Sequence, residues 1–297
     1  MIRSPTGFER YWDDSIAFEE ATIARHIEAQ EKPSKNPSYR PQFVFTLVQR
    51  YYHLILRRYS RGDDVRDLAQ YFLPLLDAWE MSERLGKDVW TERQQYTRNA
   101  WKVNLDFYIM CFWLVGLALT LEIPDDQWQR LVALIGNEGE DKLLDMMIAS
   151  RQPDRKIGTA LCHPKPYRRL LDAVLARPDD QPRLLLEFVK HWYMELDRPS
   201  TKGLPAVYAQ PYWYNCHEQE GSYFGYWCVE AVAAVKALGI DDTLCIGHPN
   251  YPGDLLRPEG PTTHPLTSSE QAQTAGVGQP SSRKGKSFIA RLFGRRE

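Results

Sequence analysis

The sequence contains little that would direct the chain into a membrane or an oxidising compartment. Its five cysteines are widely spaced and never form a C-x-x-C pair, which favours free thiols in a reducing cytoplasm. Residues 1–15 have no apolar core and become acidic at Asp13, unlike a signal peptide. The longest apolar run, residues 107–121, is shorter than the about 20 residues that a bilayer crossing needs. We therefore predict a cytoplasmic protein with this run as a buried central helix.

Motifs of catalysis and of phosphate binding are also missing. The sequence has no G-x-S-x-G and no dinucleotide fingerprint. Gly285-Lys286-Ser287 resembles the end of a phosphate-binding loop, but Pro280 stands where that loop requires its first glycine. Basic residues before the C-terminal tail alternate with acidic ones, as on solvated helix faces. We therefore predict no cofactor and no direct binding of nucleic acid.

The sequence offers one weak pattern for a metal site. Cys245 and His248 have the spacing of zinc ligands, and the pairs Cys162-His163 and Cys216-His217 are the candidates to complete a site. No second spaced pair accompanies them, so ordinary roles in turns and packing are favoured. We therefore predict no metal site.

Acidic residues exceed basic ones once the C-terminus is set aside. Of the 37 basic and 39 acidic residues, the last sixteen positions hold six and one, which leaves 31 and 38 and a formal charge of −7 for the rest. An acidic body disfavours nucleic acid as a direct ligand. It suits a basic partner, such as a DNA-binding enzyme.

Helical periodicity runs along most of the chain, and no alternation lasts for the length of a half-buried strand. We therefore predict an all-α bundle of about nine to ten helices. One long helix is predicted over residues 90–121. Another is predicted from Tyr223 to Leu238, because apolar residues there recur at i, i+3, i+4 and i+7, with Gly239 as a left-handed cap.

Composition divides the chain into three predicted parts. Residues 1–121 and 122–257 are predicted to be two helical domains, and residues 258–297 a disordered linker and basic tail. Residues 287–296 place four apolar side chains on one helical face amid basic residues: Phe288, Ile289, Leu292 and Phe293. Such a segment suits weak contact with an anionic membrane or a partner groove, although a disordered basic tail is favoured.

Glu230 is the one carboxylate on the apolar face of the helix predicted from Tyr223, where burial would raise its pKa. Two interpretations are open. In the favoured one, the carboxylate is structural and is held by a tyrosine hydroxyl, a backbone amide or an arginine. The alternative is a helical small-molecule hydrolase with a site around Glu230, Tyr226 and His248. Asp241 and Asp242 are predicted to be turn and cap residues.

Three stretches of the sequence resemble one protein family. The C-terminal stretch has Y-F-G-Y-W-x-x-E-A from Tyr223, G-I-D-D from Gly239 and H-P-x-Y-P-x-D-L from His248. Residues 59–80 form the N-terminal stretch, and residues 164–193 contain P-K-P-Y and F-x-K-x-W-Y. These stretches resemble the PoNi immunity proteins, which neutralise PoNe-type DNase toxins of type VI secretion and other polymorphic toxin systems. The first two predicted parts then resemble the N- and C-terminal PoNi domains.

The resemblance implies a protein that is not an enzyme but a stoichiometric inhibitor of a cognate toxin with a basic DNA-binding cleft. The candidate partner contacts are acidic or aromatic: Asp13, Asp14, Glu19, Glu20, Asp63, Asp64, Tyr208, Tyr212 and Trp213. For the aromatic side chains of the loop, packing on the domain is favoured over partner contact. The motif residues are predicted to be structural: Tyr223, Tyr226, Trp227, Glu230, Asp241, His248, Tyr251 and Asp254.

Overall fold

Ten α-helices make up the part of the chain that the structure describes, and this part contains no strand. The computed structural model describes residues 1–4, 6–198, 210–218 and 221–265, and residues 1–265 form one compact unit. The all-α prediction is confirmed. The helices are α1 (Glu9–Gln30), α2 (Arg40–Arg61), α3 (Phe72–Gly86), α4 (Glu92–Asn99), α5 (Leu105–Thr120), α6 (Asp125–Ile135), α7 (Lys142–Ala149), α8 (Pro164–Leu175), α9 (Gln181–Glu195) and α10 (Val229–Leu238).

The N-terminal helices pack in sequence order, α1 on α2 and α2 on α3. In α2 the buried side chains of Val48, Ile55 and Tyr59 recur at helical spacing and face the core. Gly62 ends the helix at φ 103°, and its amide donates to the carbonyls of Arg58 and Tyr59. Glycine adopts this left-handed conformation without steric cost, so the chain reverses here towards α3.

Helix α5 is the central helix, and all of its residues except Asp106 are buried. It packs against α10 at Gly116, where an added Cβ atom would lie 2.8 Å from Val229 Cγ1 and 3.0 Å from Ala233 Cβ. Glycine is therefore required for this close helix contact. No helix in the described ranges, α5 included, is long and apolar enough to cross a membrane.

The predicted long helix over residues 90–121 is wrong, because the chain breaks between α4 and α5. Asn104 causes the break. Its side-chain oxygen accepts from the amide of Phe107 at 3.0 Å, and its side-chain nitrogen donates to the carbonyl of Arg98 at 2.9 Å. An asparagine that bonds to the backbone in this way starts a new helix instead of continuing the previous one.

The predicted helix start at Tyr223 is also wrong, since α10 begins at Val229. Residues 222–228 are irregular, and Gly225 has φ 100° with Ser60 and Trp227 so close that no Cβ atom would fit. The left-handed φ of Gly225 stops helical propagation, although the apolar spacing is helical. The end of the helix is as predicted, with Gly239 as a left-handed cap at φ 69°.

The compact unit extends to Pro265, so its boundary with the predicted tail lies later than residue 258. Thr262 and Thr263 are hydrogen-bonded to Asp254, and His264 is buried beside Tyr59. These contacts, with Asp254 nearby and with the distant Tyr59, hold a segment whose composition resembles a linker. The division between residues 121 and 122 stays a prediction.

Candidate partner-binding surface

Glu19 of α1 does not lie on the surface with the other predicted acidic contacts. It is 4% exposed, and its two carboxylate oxygens accept from Arg50 and Arg57 of α2, each at 2.9 Å. A buried carboxylate needs such partners to offset the loss of hydration. Glu19 therefore joins α1 to α2.

Asp13, Glu20 and Asp63 form a cluster with Arg58 and Arg61 at the end of α2. Arg61 bonds to Asp13 at 2.9 Å and to Asp63 at 2.6 Å, and Arg58 bonds to Asp63 at 2.7 Å and to Glu20. Burial raises the pKa of Asp63, but hydrogen bonds from the two arginines outweigh it and lower the pKa below its usual value. Much of the negative charge in this cluster is balanced within the chain.

Asp14 and Asp64 also have arginine neighbours, Arg10 at 3.5 Å and Arg66. Hydrogen bonds from the Arg66 side chain and its amide lower the pKa of Asp64 to about 2. Four of the six predicted acidic contacts keep solvent-exposed carboxylates: Asp13, Asp14, Glu20 and Asp64. Their role in partner binding stays a prediction.

The aromatic residues of the predicted loop differ in exposure. Trp213 is 2% exposed and packs between Trp113 and Trp192, with ring centroids 4.9 and 6.1 Å away. Tyr212 is 49% exposed, and its hydroxyl lies 2.6 Å from the hydroxyl of Tyr52. Trp213 is therefore a core residue, whereas Tyr212 is accessible to a partner. Tyr208 and the segment 287–296 lie outside the described residues.

Tyr223 and Trp227 join the C-terminal motif to the N-terminal helices. The indole nitrogen of Trp227 donates to Ser60 Oγ at 2.8 Å, and the Tyr223 hydroxyl lies 3.2 Å from Ser4 Oγ. Tyr11 of α1 donates to the carbonyl of Tyr223 at 2.8 Å. These motif residues therefore hold the two ends of the chain together, in accordance with a structural role.

Glu230 lies at the start of α10 and is fully buried. Its Oε1 accepts from the Tyr167 hydroxyl at 2.8 Å, and burial raises its pKa to about 7. This is the tyrosine-held carboxylate of the structural interpretation. His248 Nδ1 accepts from the Asn250 amide at 3.2 Å, and within the described ranges no hydrogen bond links Glu230, Tyr226 and His248.

Tyr226 belongs to a separate aromatic group near the surface. Its ring lies 4.7 Å from that of Tyr193, and its hydroxyl donates to the carbonyl of Tyr214 at 2.8 Å. Asn250, from the motif that begins at His248, donates to the carbonyl of Tyr226 at 2.9 Å. These contacts of Tyr226 therefore hold residues 222–228, the irregular segment before α10, in place.

Asp241 and Asp242 have different roles. Asp241 is exposed and accepts from the Thr243 amide at 2.9 Å, which is the predicted turn role. Asp242 stands at the predicted cap position, before the short 3-10 helix Thr243–Cys245, but its side chain does not cap that helix. It is 4% exposed, accepts from the Tyr251 hydroxyl at 2.5 Å and pairs with Arg257. Burial and this bond raise the pKa of Tyr251.

Asp254 is the most connected of the motif carboxylates. Its oxygens accept from Arg3 Nε at 2.6 Å, from Thr262 Oγ1 at 2.9 Å and from the amide and hydroxyl of Thr263 at 2.6 and 2.8 Å. Burial raises the pKa of Asp254, but these bonds outweigh it and leave the pKa lowered. The sequence alone did not identify Arg3 or Arg257 as partners of these buried aspartates.

The residues of the weak zinc pattern have ordinary packing contacts. All five cysteines are free thiols, and His163 Nε2 lies 2.7 Å from the carbonyl of Trp101. Cys162 Sγ donates to the carbonyl of Glu140 at 3.4 Å. In the ranges that the structure describes, no group of three or more histidine, cysteine, aspartate or glutamate side chains is arranged to hold a metal ion.

A cavity of about 220 Å³, which the sequence did not indicate, lies beside Tyr212. It is lined by α2, by the end of α4 and by the start of α5, and its wall includes Asp106, the only residue of α5 that is not buried. Polar side chains dominate the wall: Gln42, Gln49, Tyr52, Arg98, Asn99 and Asn104. The apolar side chains of Phe45, Phe107 and Met110 complete the wall, so the cavity combines apolar surface with polar groups, as ligand sites do.

Comparisons with known proteins agree with this architecture. The crystal structure of protein PA2201 from Pseudomonas aeruginosa has a similar fold, with a TM-score of 0.63 at 20% identity, and the match covers 86% of this chain and 90% of that chain. Comparison with curated proteins gives no match. Residues 3–133 match the family model "PoNe immunity protein (PoNi), N-terminal", and residues 139–255 match "PoNe immunity proteins (PoNi), C-terminal". Since the two models follow each other in order along most of the chain, the protein belongs to the PoNi family of PoNe immunity proteins.

Proposed function

We propose that this protein binds a cognate PoNe-type DNase toxin and inhibits it by forming a stoichiometric complex. The observation that carries the proposal is the match of both PoNi models over residues 3–133 and 139–255. In this proposal the inhibitor occupies the toxin and does not modify it. The toxin is proposed to belong to a type VI secretion or related polymorphic toxin system.

The acidic excess of the residues before the last sixteen, a formal charge of −7, supports a basic target. A nuclease binds the DNA backbone through basic residues, and an acidic inhibitor competes for the same cleft. The exposed carboxylates of Asp13, Asp14, Glu20 and Asp64 lie on α1 and beyond the end of α2. Each of these carboxylates has an arginine neighbour, and each also keeps exposed surface. We infer that these exposed carboxylates steer the inhibitor onto the toxin, while the buried aromatic side chains hold its shape.

We also propose that the inhibitor acts in the cytoplasm. The DNA that the toxin attacks is cytoplasmic, so an inhibitor must be available there. Five free thiols suit a reducing compartment.

The hydrolase alternative has less support. Glu230 is fully buried and bonded to Tyr167, so a substrate has no access to its carboxylate. Tyr226 forms hydrogen bonds with Tyr214 and Asn250, and not with Glu230.

The direct test is co-expression with the product of the neighbouring toxin gene, followed by co-purification and a plasmid-degradation assay. We expect a stable complex of fixed stoichiometry and intact plasmid in its presence. Absence of both complex and protection would contradict the proposed function.

The steering surface makes a separate prediction. Changing Asp13, Asp14, Glu20 and Asp64 together to serine is expected to slow association with the toxin about tenfold at low salt, with little effect on dissociation. Salt screens long-range attraction, so the association rates of the variant and of the unchanged protein should become equal at about 1 M salt. Stopped-flow or biosensor kinetics measure the association and dissociation rates of both proteins.

The matched control removes four exposed aspartates from other helices and loops, and therefore the same net charge: Asp126, Asp154, Asp172 and Asp179. We expect this control to associate nearly as fast as the unchanged protein. Equal association rates for both quadruple variants at low salt would refute local steering by the surface that Asp13, Asp14, Glu20 and Asp64 form.

The tail prediction is tested by flotation with anionic liposomes. If residues 287–296 contact membranes, the full chain floats and a version that ends at Pro265 does not; equal flotation contradicts the prediction. The truncation belongs after Pro265, because an earlier end point such as Glu259 would delete the threonines that bind Asp254.

A further inference from the structure

The cavity beside Tyr212 contains polar groups that the fold does not use. The amide side chains of Gln49 and Asn99 line it and make no hydrogen bond with other described residues. Asn104, in contrast, is satisfied by the backbone around it. Two amide groups are thus available to a molecule that enters the cavity.

Asp106 presents the least satisfied charge of the wall. Its carboxylate accepts one hydrogen bond, from the Tyr212 amide at 3.1 Å, and forms no ion pair with a described residue. Burial raises the pKa of Asp106 to about 6, although the Tyr212 amide and the charge of Arg198 lower it. A carboxylate has about four acceptor positions, so most of the acceptor capacity of Asp106 is unused.

Arg98, the cation that lines the same cavity, is already covered. Its guanidinium lies 3.7 Å from the ring centroid of Trp90 and bonds to the side chain of Gln42. Stacking on an aromatic face and a hydrogen bond hold this group in place, although its buried Nε has no partner among the described residues. The Asp106 carboxylate is therefore the anionic group of the wall that is open to a cationic ligand.

We propose that this cavity is an anchor pocket for an arginine side chain of the toxin. The guanidinium would donate two hydrogen bonds to the Asp106 carboxylate, lie against the rings of Tyr52 and Tyr212, and use the amide oxygens of Gln49 and Asn99 for its remaining donors. This inference rests on the proposed function, because the basic cleft of a nuclease supplies such a side chain.

The groups that face Asp106 do not titrate between pH 5 and 7.5. Burial of the two hydroxyl groups raises the pKa values of Tyr52 and Tyr212, and the charge of Asp106 adds to it, so both stay protonated. Burial and nearby arginines lower the pKa of His53, which bonds to Tyr212, so this imidazole stays neutral. Arg98 and Arg198 keep their charge. A pH dependence of the affinity difference between the unchanged protein and Asp106→Asn in this window therefore reports on Asp106, since Glu230 is common to both proteins.

The test compares Asp106→Asn with Asp126→Asn in the full-length protein. Each position is an aspartate in the first turn of a helix, and each change removes one negative charge, but Asp126 is exposed on α6. Asparagine at position 106 can still accept from the Tyr212 amide, so folding should be retained, and circular dichroism checks this. We expect Asp106→Asn to weaken toxin binding about thirtyfold, mainly through faster dissociation, and Asp126→Asn to change it less than twofold.

Two further readouts separate anchoring from a structural role. The advantage of the unchanged protein over Asp106→Asn should shrink about tenfold between pH 7.5 and pH 5, as the carboxylate becomes protonated. The arginines of the toxin cleft are replaced by alanine one at a time, and the loss of binding affinity is measured. One replacement should weaken binding to the unchanged protein but not to Asp106→Asn.

The outcomes distinguish the pocket from the proposed function. Failure of the unchanged protein to bind or inhibit the toxin contradicts both. Normal binding and inhibition by Asp106→Asn, equal to those of Asp126→Asn, overturn the anchor pocket alone. A loss of affinity that is independent of pH and couples to no toxin arginine also overturns it.

Discussion

Replacing Asp254 by alanine is expected to lower the free energy of unfolding by about 4 kcal/mol. The change leaves the Arg3 guanidinium without its carboxylate at 2.6 Å and the Thr263 amide without its acceptor. Both partners are buried or nearly so, with side-chain exposures of 5% for Asp254 and 12% for Arg3. Breaking a buried pair by removing one partner is strongly destabilising, because the remaining charge is neither hydrated nor paired.

Urea unfolding followed by circular dichroism measures this effect, and Asp241→Ala is the matched control. Asp241 belongs to the same motif but is exposed, so its loss should cost less than about 1 kcal/mol. Because the folded-state pKa of Asp254 is lowered, its stabilising contribution is fully present above the ordinary value of 3.8 and is lost as the pH falls through the lowered value. Similar costs at positions 254 and 241 would contradict the prediction.

Replacing Glu230 by glutamine is expected to stabilise the protein by about 3 kcal/mol at pH 8 and to have almost no effect at pH 4. Burial raises the folded-state pKa from 4.5 to about 7, so ionisation is more costly in the folded state than in the unfolded one. The cost therefore begins above pH 4.5, grows until pH 7 and is constant beyond. Glutamine has the same shape, can accept from Tyr167 and carries no charge.

The measurement is the free energy of unfolding of both proteins at several pH values between 4 and 8. Glu31→Gln, at an exposed position after α1, is the control and should give a difference close to zero throughout. If the change in the free energy of unfolding on Glu230→Gln were the same at every pH, the pKa of Glu230 would not be raised in the folded protein.

The sequence predicts the helical class well because each helix buries one face, and this periodicity is local. It fails where a single residue overrides the pattern. Asn104 divides the predicted helix over residues 90–121 by bonding to the backbone, and Gly225 delays the start of α10 by its left-handed φ. In both places the apolar spacing continues, so spacing alone cannot reveal the break.

The candidate site is less predictable because its partners are distant in sequence. The acidic residues of α1 are visible in the sequence, but the arginines of α2 that bind Glu19 and Glu20 lie 31 to 38 positions away. Asp106 is one aspartate in an apolar helix, and only the fold places it beside Tyr212, 106 positions along the chain. The sequence therefore indicates an acidic surface by its charge pattern, whereas ion pairs and cavities can be identified only from the three-dimensional structure.

The bond between Arg3 and Asp254 joins positions 251 apart, and Thr263 binds the same carboxylate. The two ends of the compact unit are thus neighbours, which is the geometry that circular permutation requires. A short flexible linker from Pro265 back to Met1, with new termini in the loop between α6 and α7, would exchange the order of the two PoNi halves without altering their contacts. The same closeness means that a tag fused to Met1 lies beside the Asp254 bonds, so an affinity handle is better placed at the C-terminus.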